Sequence, residues 1–263
     1  MYRIIAFALL ASFFTTQIYA SSAKKTKPTL TARSAIAVDL RNNKVLYSRN
    51  PHMKLPPAST TKLVTALVVI DRLKLNDIVK ISRNAAGAVP SKAHLKLGAS
   101  YNVKDLLSAL LISSANDAAV ALAEAVSGSE EKFAKLMTKK ARSLGAKDSN
   151  FLTASGLPKK GQYSTASDMA IIANAALNKK LIKQILAQKS TSITGSDGRK
   201  IYLKNHNKLL WKSTNPKILG KTGYTMNAKH CFVGVVHYKN RKVAIAVLKS
   251  SKPWSDVDAI LSN

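Results

Sequence analysis

The sequence is poor in cysteine, which excludes a fold held by disulfides. Cys231 is the single cysteine of 263 residues, so no intramolecular disulfide can form. A chain of this length buries a core large enough to fold without one. We predict Cys231 to be a small buried apolar residue. The alternative, a Cys231–His230 nucleophile pair, places the two side chains on opposite faces of a strand.

Acidic residues are also scarce, with 13 Asp and Glu against 42 Lys and Arg, a formal net charge of +29. Such a charge favours polyanionic surroundings, namely nucleic acid, anionic envelope polymers or a membrane surface. The lysines are scattered and are not interleaved with aromatic residues, which argues against nucleic acid. A solvated basic surface without a specific partner stays an alternative. The five histidines are dispersed without ligand spacing, so neither a metal site nor a cofactor is predicted.

Long hydrophobic runs are absent. The longest run covers residues 4–14 and is too short for a transmembrane helix, which needs about 20 residues. Arg3 precedes it and Ala20 follows it, which is typical of a signal peptide at residues 1–20. We therefore predict an exported, periplasmic or extracytoplasmic protein associated with the cell envelope. A buried N-terminal helix and an uncleaved anchor are the alternatives.

The rest of the chain predicts a lysine-rich linker at residues 21–33 and a single domain at 34–263. Apolar alternation and turn residues predict strands at 34–40, 44–49, 219–225, 231–238 and 242–248. Helical periodicity predicts helices at 59–73, 103–112, 116–126, 130–144, 165–177 and 255–261. The expected fold class is α/β (α+β), with an antiparallel sheet of N- and C-terminal strands flanked by helices. A central all-α lobe is expected at about 86–165.

The segment Ser59-Thr60-Thr61-Lys62 places a hydroxyl and an amine one turn apart on the same face of a helix. A serine hydroxyl is a weak nucleophile until a base takes its proton, and lysine is a base only when neutral. Residues 63–70 are apolar on nearly every face, so this helix should be buried. Burial and the positive end of the helix dipole both lower the pKa of Lys62.

The free backbone N–H of Ser59 at the start of this helix is a candidate oxyanion donor. The alternative is that Ser59 is a helix N-cap and that Lys62 points into solvent. A four-residue pattern by itself does not decide between them.

A second element, Ser114-Ala115-Asn116, lies between two predicted helices. Its hydroxyl and amide can point into one cleft, where the hydroxyl could relay a proton and the amide could hold a lysine or a substrate amide. Taken alone, this segment is equally typical of a helix N-cap.

A third element, Lys221-Thr222-Gly223, begins a predicted strand. Lys221 and Thr222 could bind a substrate carboxylate, and Gly223 would let a peptide backbone approach the strand closely. The N–H of Tyr224 could supply a second oxyanion donor. The alternative is an ordinary strand edge with a glycine bulge.

The order and wide spacing of the three elements agree with the set typical of class A β-lactamases and penicillin-binding proteins. The chain resembles the low-molecular-mass D-alanyl-D-alanine carboxypeptidases, the penicillin-binding proteins of peptidase family S11. This resemblance extends over nearly all of the chain after Ser34. The segments that carry it are 57–63, 105–119, 161–166, 205–210 and 220–225.

The resemblance implies a β-lactamase/transpeptidase-like fold and hydrolysis of the terminal D-Ala-D-Ala bond of a peptidoglycan stem peptide. It implies that Ser59 forms the acyl-enzyme, that Lys62 accepts its proton and that Ser114 passes a proton to the leaving amine. β-Lactam antibiotics are then covalent inhibitors. No cofactor is implied.

The resemblance also assigns binding roles. Asn116 would position Lys62 and the substrate, while Lys221 and Thr222 would bind the terminal carboxylate. The chain departs from the family pattern at Ala115, where glycine is frequent, and at Gln162, where histidine is frequent. A further departure covers residues 228–230. The chain is expected to be the compact version, without a C-terminal β-domain or amphipathic anchor.

Other functions share these motifs. A class A β-lactamase needs a glutamate to activate water, but Glu124, Glu130 and Glu131 all precede the predicted loop at 151–163. A D,D-transpeptidase or D,D-endopeptidase differs only in the acceptor or the bond cleaved, so the sequence leaves both open. A non-catalytic penicillin sensor belongs on a transmembrane signalling chain, which this sequence does not suggest.

Overall fold

The computed structural model describes residues 29–212 and 218–262. The predicted signal peptide and most of the predicted linker therefore lie outside the described residues. Within these two ranges, no helix combines the length and the apolar character needed to cross a bilayer.

The last residues of the predicted linker belong to the folded structure. Leu30 and Ala32 are buried against the sheet. The Thr31 hydroxyl donates to the Asp256 carboxylate at 2.8 Å, and the Arg33 N–H donates to a backbone carbonyl of the last strand. Two alternating apolar residues are too few to predict a buried segment, which is why the sequence indicated a linker here.

The described strands form one large antiparallel sheet and two small two-stranded sheets. They are β1 (Ser34–Asp39), β2 (Lys44–Arg49), β3 (Ile78–Lys80), β4 (Ser100–Asn102), β5 (Ser190–Thr194), β6 (Lys200–Lys204), β7 (Ile218–Thr225), β8 (Lys229–Tyr238) and β9 (Arg241–Ser250). The large sheet has the order β2-β1-β9-β8-β7, so the predicted union of N- and C-terminal strands is confirmed. β7 lies at its edge, with one side free of β pairing.

Helices flank this sheet and form the predicted central lobe. They are α1 (Lys62–Ile70), α2 (Arg83–Ala86), α3 (Val103–Ile112), α4 (Asn116–Ser127), α5 (Glu130–Ser143), α6 (Ala166–Leu177), α7 (Lys180–Leu186), α8 (Lys208–Lys212) and α9 (Pro253–Ser262). The predicted helix at 59–73 is shorter, because residues Ala58–Thr61 form a 3₁₀ turn and α1 begins only at Lys62. Such tight turns are common at helix starts.

The elements that the sequence did not predict are short. β3 and β4 have three residues each, α2 has four, β5, β6 and α8 have five each, and α7 has seven. Segments of this length contain too few positions to establish a period, so pattern reasoning fails on them.

The core has two parts, one on each face of the large sheet. α6 packs on β1, β8 and β9, and α1 packs between α6 and the lobe helices α3, α4 and α5. On the other face, α9 covers β8 and β9. Leu63 and Leu67 of α1 are fully buried, which contributes about 1.5–3 kcal/mol each. The N-terminus of α1 is thereby fixed where the lobe meets the sheet.

Candidate active site

The three sequence elements meet in one cleft of about 960 Å³. Ser59, Ser114, Thr222, Gly223 and Tyr224 all line it, from the 3₁₀ turn, the α3–α4 junction and strand β7. The remaining predicted site residues, Lys62, Asn116 and Lys221, are buried beside these side chains.

Lys62 is fully buried at the start of α1. Its Nζ lies 3.2 Å from Ser59 Oγ, 2.7 Å from Asn116 Oδ1 and 2.7 Å from the carbonyl oxygen of Ser155. A neutral amine has two N–H groups and one lone pair. Because the two carbonyl oxygens accept both N–H groups, the lone pair faces the Ser59 hydroxyl. The arrangement can therefore receive the Ser59 proton.

Burial lowers the pKa of Lys62 well below its ordinary value. The positive charge of Lys221 lowers this pKa further, while the carboxylates of Asp117 and Glu130 oppose the shift. The neutral form that a general base needs is therefore favoured by desolvation first and by the second lysine next.

The carbonyl oxygen of Ser155 is held in place by its own neighbours. The Ala154 N–H donates to the Glu130 carboxylate at 2.8 Å, and the Thr65 hydroxyl donates to the Ala154 carbonyl at 2.7 Å. This fixes the loop against α1 and α5. Sequence reasoning missed Ser155, because an acceptor on the main chain has no side-chain signature.

Ser114 and Lys221 form the second contact pair of the cleft. Ser114 joins α3 to α4 in a left-handed conformation with φ of 62°. The Lys221 ammonium donates to Ser114 Oγ and to the Thr222 carbonyl, both at 3.0 Å. Burial lowers the pKa of Lys221 to about 7. The Ser114 hydroxyl hydrogen is left free to point toward a ligand.

Asn116 is connected to the wall of the cleft as well as to Lys62. Its amide nitrogen donates to the Val89 carbonyl at 2.9 Å. The next residue, Asp117, is buried and accepts from the N–H groups of Ala93 and Leu95, each at 3.0 Å. Sequence reasoning missed Asp117. The available signal was an acidic residue in the first turn of an apolar helix.

Gly223 lies close to the turn that carries Ser59, whereas the sequence led us to expect a close approach by a substrate backbone. A Cβ on Gly223 would lie 2.8 Å from the Ser59 backbone nitrogen and 3.0 Å from Ala58 Cβ. The close approach is therefore made by the turn that carries Ser59. Gly156, with φ of +81°, contacts the same turn at the Ala58 carbonyl, where a Cβ would also collide. Both glycines therefore leave the space that the turn carrying Ser59 occupies.

We expect Gly223→Ala to slow acylation by a fluorescent penicillin on the order of 10²-fold, because the Ser59 turn must shift by a fraction of an ångström or more. The measurement is the second-order labelling rate. Gly128→Ala is the control, since it caps α4 in open space and costs stability without touching the cleft. An unchanged labelling rate in Gly223→Ala would contradict this account of the packing.

Cys231 lies beside the cleft but is buried. Burial raises the pKa of its thiol to about 11, which disfavours a thiolate and agrees with the packing role predicted. His94, His206 and His230 also line the cleft. They come from three distant segments, so no spacing could have indicated them. No group of three or more His, Cys, Asp and Glu side chains that could hold a metal occurs in 29–212 and 218–262.

All three glutamates are engaged outside the cleft. Glu124 accepts a hydrogen bond from the Ser82 hydroxyl at 2.6 Å, and Glu130 accepts one from the Ala154 N–H. The exposed Glu131 forms an ion pair with Lys135. None of the three lines the cleft. The carboxylate that a class A β-lactamase uses to activate water has no counterpart among them.

Comparison with known proteins places this fold among the penicillin-binding proteins with the β-lactamase-like fold. The D-alanyl-D-alanine carboxypeptidase of Mycobacterium tuberculosis H37Rv superposes with a TM-score of 0.84 at 33% identity, covering 92% of this chain and 93% of that one. The Streptomyces K15 DD-transpeptidase gives a TM-score of 0.83 at 29% identity, covering 90% and 98%.

Residues 21–252 match the model of peptidase family S11, D-alanyl-D-alanine carboxypeptidase, and the chain belongs to this family. D-alanyl-D-alanine carboxypeptidase DacF of Bacillus subtilis is 37% identical over 84% of this chain. D-alanyl-D-alanine endopeptidase of Escherichia coli K12 is 34% identical over 94% of this chain and 82% of its own length. The chain spans 58% of the length of DacF, less than two thirds of it.

Proposed function

We propose that this protein is a serine D,D-carboxypeptidase that removes the terminal D-Ala of peptidoglycan stem peptides through an acyl-enzyme on Ser59. The observation that carries the proposal is the buried Lys62 amine, 3.2 Å from Ser59 Oγ, with its other hydrogen-bonding directions occupied by two carbonyl oxygens. Membership of peptidase family S11 supports the same substrate class.

In the proposed acylation, Ser59 Oγ attacks the carbonyl carbon of the penultimate residue and its proton passes to Lys62 Nζ. The backbone N–H of Ser59 has no acceptor among the described residues and can donate to the oxyanion, together with the N–H of Tyr224. The C–N bond then breaks. Ser114, which lines the cleft, is proposed to relay the proton accepted by Lys62 to the leaving amine of D-Ala, so that Lys62 and Ser114 both return to their neutral forms.

Lys221 and Thr222 are proposed to bind the C-terminal carboxylate of the substrate. Lys221 is the buried cation nearest to Ser114, and a charge-assisted hydrogen bond there fixes which bond is cleaved. The peptide would lie along the free edge of β7 and be held by main-chain hydrogen bonds. Asn116 keeps the Lys62 amine aligned during both half-reactions.

Deacylation by water completes the carboxypeptidase reaction, and Lys62 is proposed to act as base again. An amine acceptor would give transpeptidation, and an internal crosslink as substrate would give endopeptidase activity. The relatives include proteins named for carboxypeptidase and endopeptidase activity. Several of the more similar ones are carboxypeptidases by name, which supports water as the main acceptor.

Substrates of this kind lie outside the cytoplasm, so we further propose that residues 1–20 are a signal peptide and that 34–263 form a single catalytic domain. The net charge of +29 supports association with anionic envelope polymers or a membrane surface. β-Lactams are proposed covalent inhibitors, because they present a strained acyl group and a carboxylate to the same cleft.

The test is to incubate the protein with a stem pentapeptide and an amine acceptor, and to separate the products by chromatography with mass detection. We expect mostly free tetrapeptide and D-Ala. Mostly acceptor adduct would identify a transpeptidase. Rapid release of hydrolysed penicillin would point to a β-lactamase, and absence of any product would contradict enzymatic function.

A further inference from the structure

A second cavity lies at the C-terminal end of β7. This cavity has a volume of about 240 Å³, and Thr225 and Asn227 form one side of it. The exposed segment Pro158-Lys159-Lys160 also lines it. Thr225 directly follows Tyr224, which lines the main cleft, so residues of the same strand line both spaces.

The second cavity is positively charged. Lys159 and Lys160 line it, and no acidic residue does. Neither lysine forms an ion pair in the described part of the chain. Both ammonium groups are therefore free to meet a ligand, and no carboxylate of the protein has to be displaced first.

The positive charge of the second cavity extends to a neighbouring groove that Lys159 also lines. Lys159 also lines a groove of about 590 Å³ against α5, together with Lys139 and Arg142. The acidic residue of that groove, Glu131, is paired with Lys135 at 3.5 Å. The positive field at the second cavity is thus reinforced from behind by further cations.

The chemistry of the cleft fixes the direction of a peptide substrate. Its C-terminal carboxylate belongs at Lys221, and its reacting carbonyl at Ser59, which lies against Gly223. The chain upstream of the reacting carbonyl must therefore run toward Tyr224 and Thr225, antiparallel to β7. Thr225 is two residues beyond Gly223, about 7 Å along an extended strand.

We infer that Lys159 and Lys160 form a recognition site for a carboxylate carried by the substrate one or two residues upstream of the acyl residue. This inference rests on the proposed function and names a substrate determinant of the same site. An extended peptide reaches the second cavity at that position. Lysine side chains follow a mobile carboxylate easily, because they act as point charges on flexible stems.

The test uses two N-acetylated tetrapeptides that end in D-Ala-D-Ala and differ only upstream, with glutamate in one and glutamine in the other. For the wild-type protein we expect kcat/KM to be about 3- to 20-fold higher for the glutamate peptide at low salt, the range expected for two partly exposed ion pairs. Added salt should reduce this preference. The double variant K159Q/K160Q should lose it.

The matched control is K179Q/K180Q, which removes an adjacent pair of exposed lysines at the start of α7 and the same total charge. It should keep the preference. Labelling by a fluorescent penicillin, which has no upstream carboxylate, should be equal in wild type and both variants. This shows that the acylation machinery is intact.

Three results would overturn the inference: no preference in the wild type, a preference that survives in K159Q/K160Q, or an equal loss in K179Q/K180Q. Each of them leaves the proposed function standing, provided that penicillin labels the protein and both peptides are cleaved. Failure of labelling together with failure of cleavage would instead overturn the proposed function, and the inference with it.

Discussion

The Ser59→Ala variant is expected to show no covalent labelling by a fluorescent penicillin. Ser59 Oγ is the hydroxyl that contacts the desolvated amine of Lys62, so its removal leaves the cleft without a nucleophile. Loss of the nucleophile from such a unit lowers the rate on the order of 10⁴-fold or more. The measurement is gel fluorescence, followed by mass spectrometry and peptide mapping of the adduct on the wild type.

Ser251→Ala is the control for this variant, because Ser251 lines the same cleft without contacting either buried lysine. It should label as the wild type does. Ser59 is partly exposed on a short turn, so truncation to alanine should leave the melting temperature nearly unchanged. Labelling that persists in Ser59→Ala would place the nucleophile elsewhere and would remove the basis of the proposed mechanism.

The second large effect is expected for Lys62→Gln, which should slow acylation by about 10²–10⁴-fold, the usual contribution of a general base. The glutamine amide can still donate to the Asn116 and Ser155 oxygens but cannot accept a proton. The buried acceptors thus keep a partner, which limits the loss of stability. The acylation rate with penicillin, measured by stopped flow, gives the comparison.

The pH dependence of the acylation rate distinguishes a role of Lys62 as general base from a purely structural role. Lys62 is a base only when neutral, so wild-type acylation should rise as pH increases through its pKa, which burial holds well below the ordinary value. The rate for carboxylate ligands should fall again above about pH 7, as Lys221 loses its proton. In a plot of rate against pH, Lys62→Gln should lose the rise on the acidic limb, which reports Lys62, and keep the fall on the alkaline limb, which reports Lys221.

Lys252→Gln serves as the matched control, since Lys252 lines the cleft from its exposed rim. It should retain both limbs of the profile and a rate close to that of the wild type. A Lys62→Gln variant that acylates at a near-normal rate, or that keeps the acidic limb, would exclude Lys62 as the base.

Much of the fold was predictable because its elements are long and periodic. α3 spans the predicted range, α4 and α5 differ from theirs by one residue each, and the predicted N- and C-terminal strands lie together in the five-stranded sheet. The elements that were not predicted are β3 to β6, α2, α7 and α8, which have three to seven residues each and offer few positions to show a period. The buried end of the predicted linker was missed for the same reason.

The candidate site was only partly predictable. Ser59 and Lys62 are separated by one turn, so their contact follows from local geometry. Of the two acceptors that orient Lys62, Asn116 was named from its Ser-x-Asn segment and the family resemblance, whereas Ser155 could not be found from the sequence. Ser155 contributes a main-chain oxygen, which every residue possesses, and it lies 93 positions along the chain from Lys62.

What the sequence by itself determined is the set of candidate groups: Ser59 with Lys62, Ser114 with Asn116, and Lys221 with Thr222. The tertiary structure decided which of them lie in contact. The pKa of Lys62 and that of Lys221 fall because packing removes water from both amines. Desolvation is a property of the assembled surroundings of a group, contributed by segments far apart in the chain, so no local pattern encodes it.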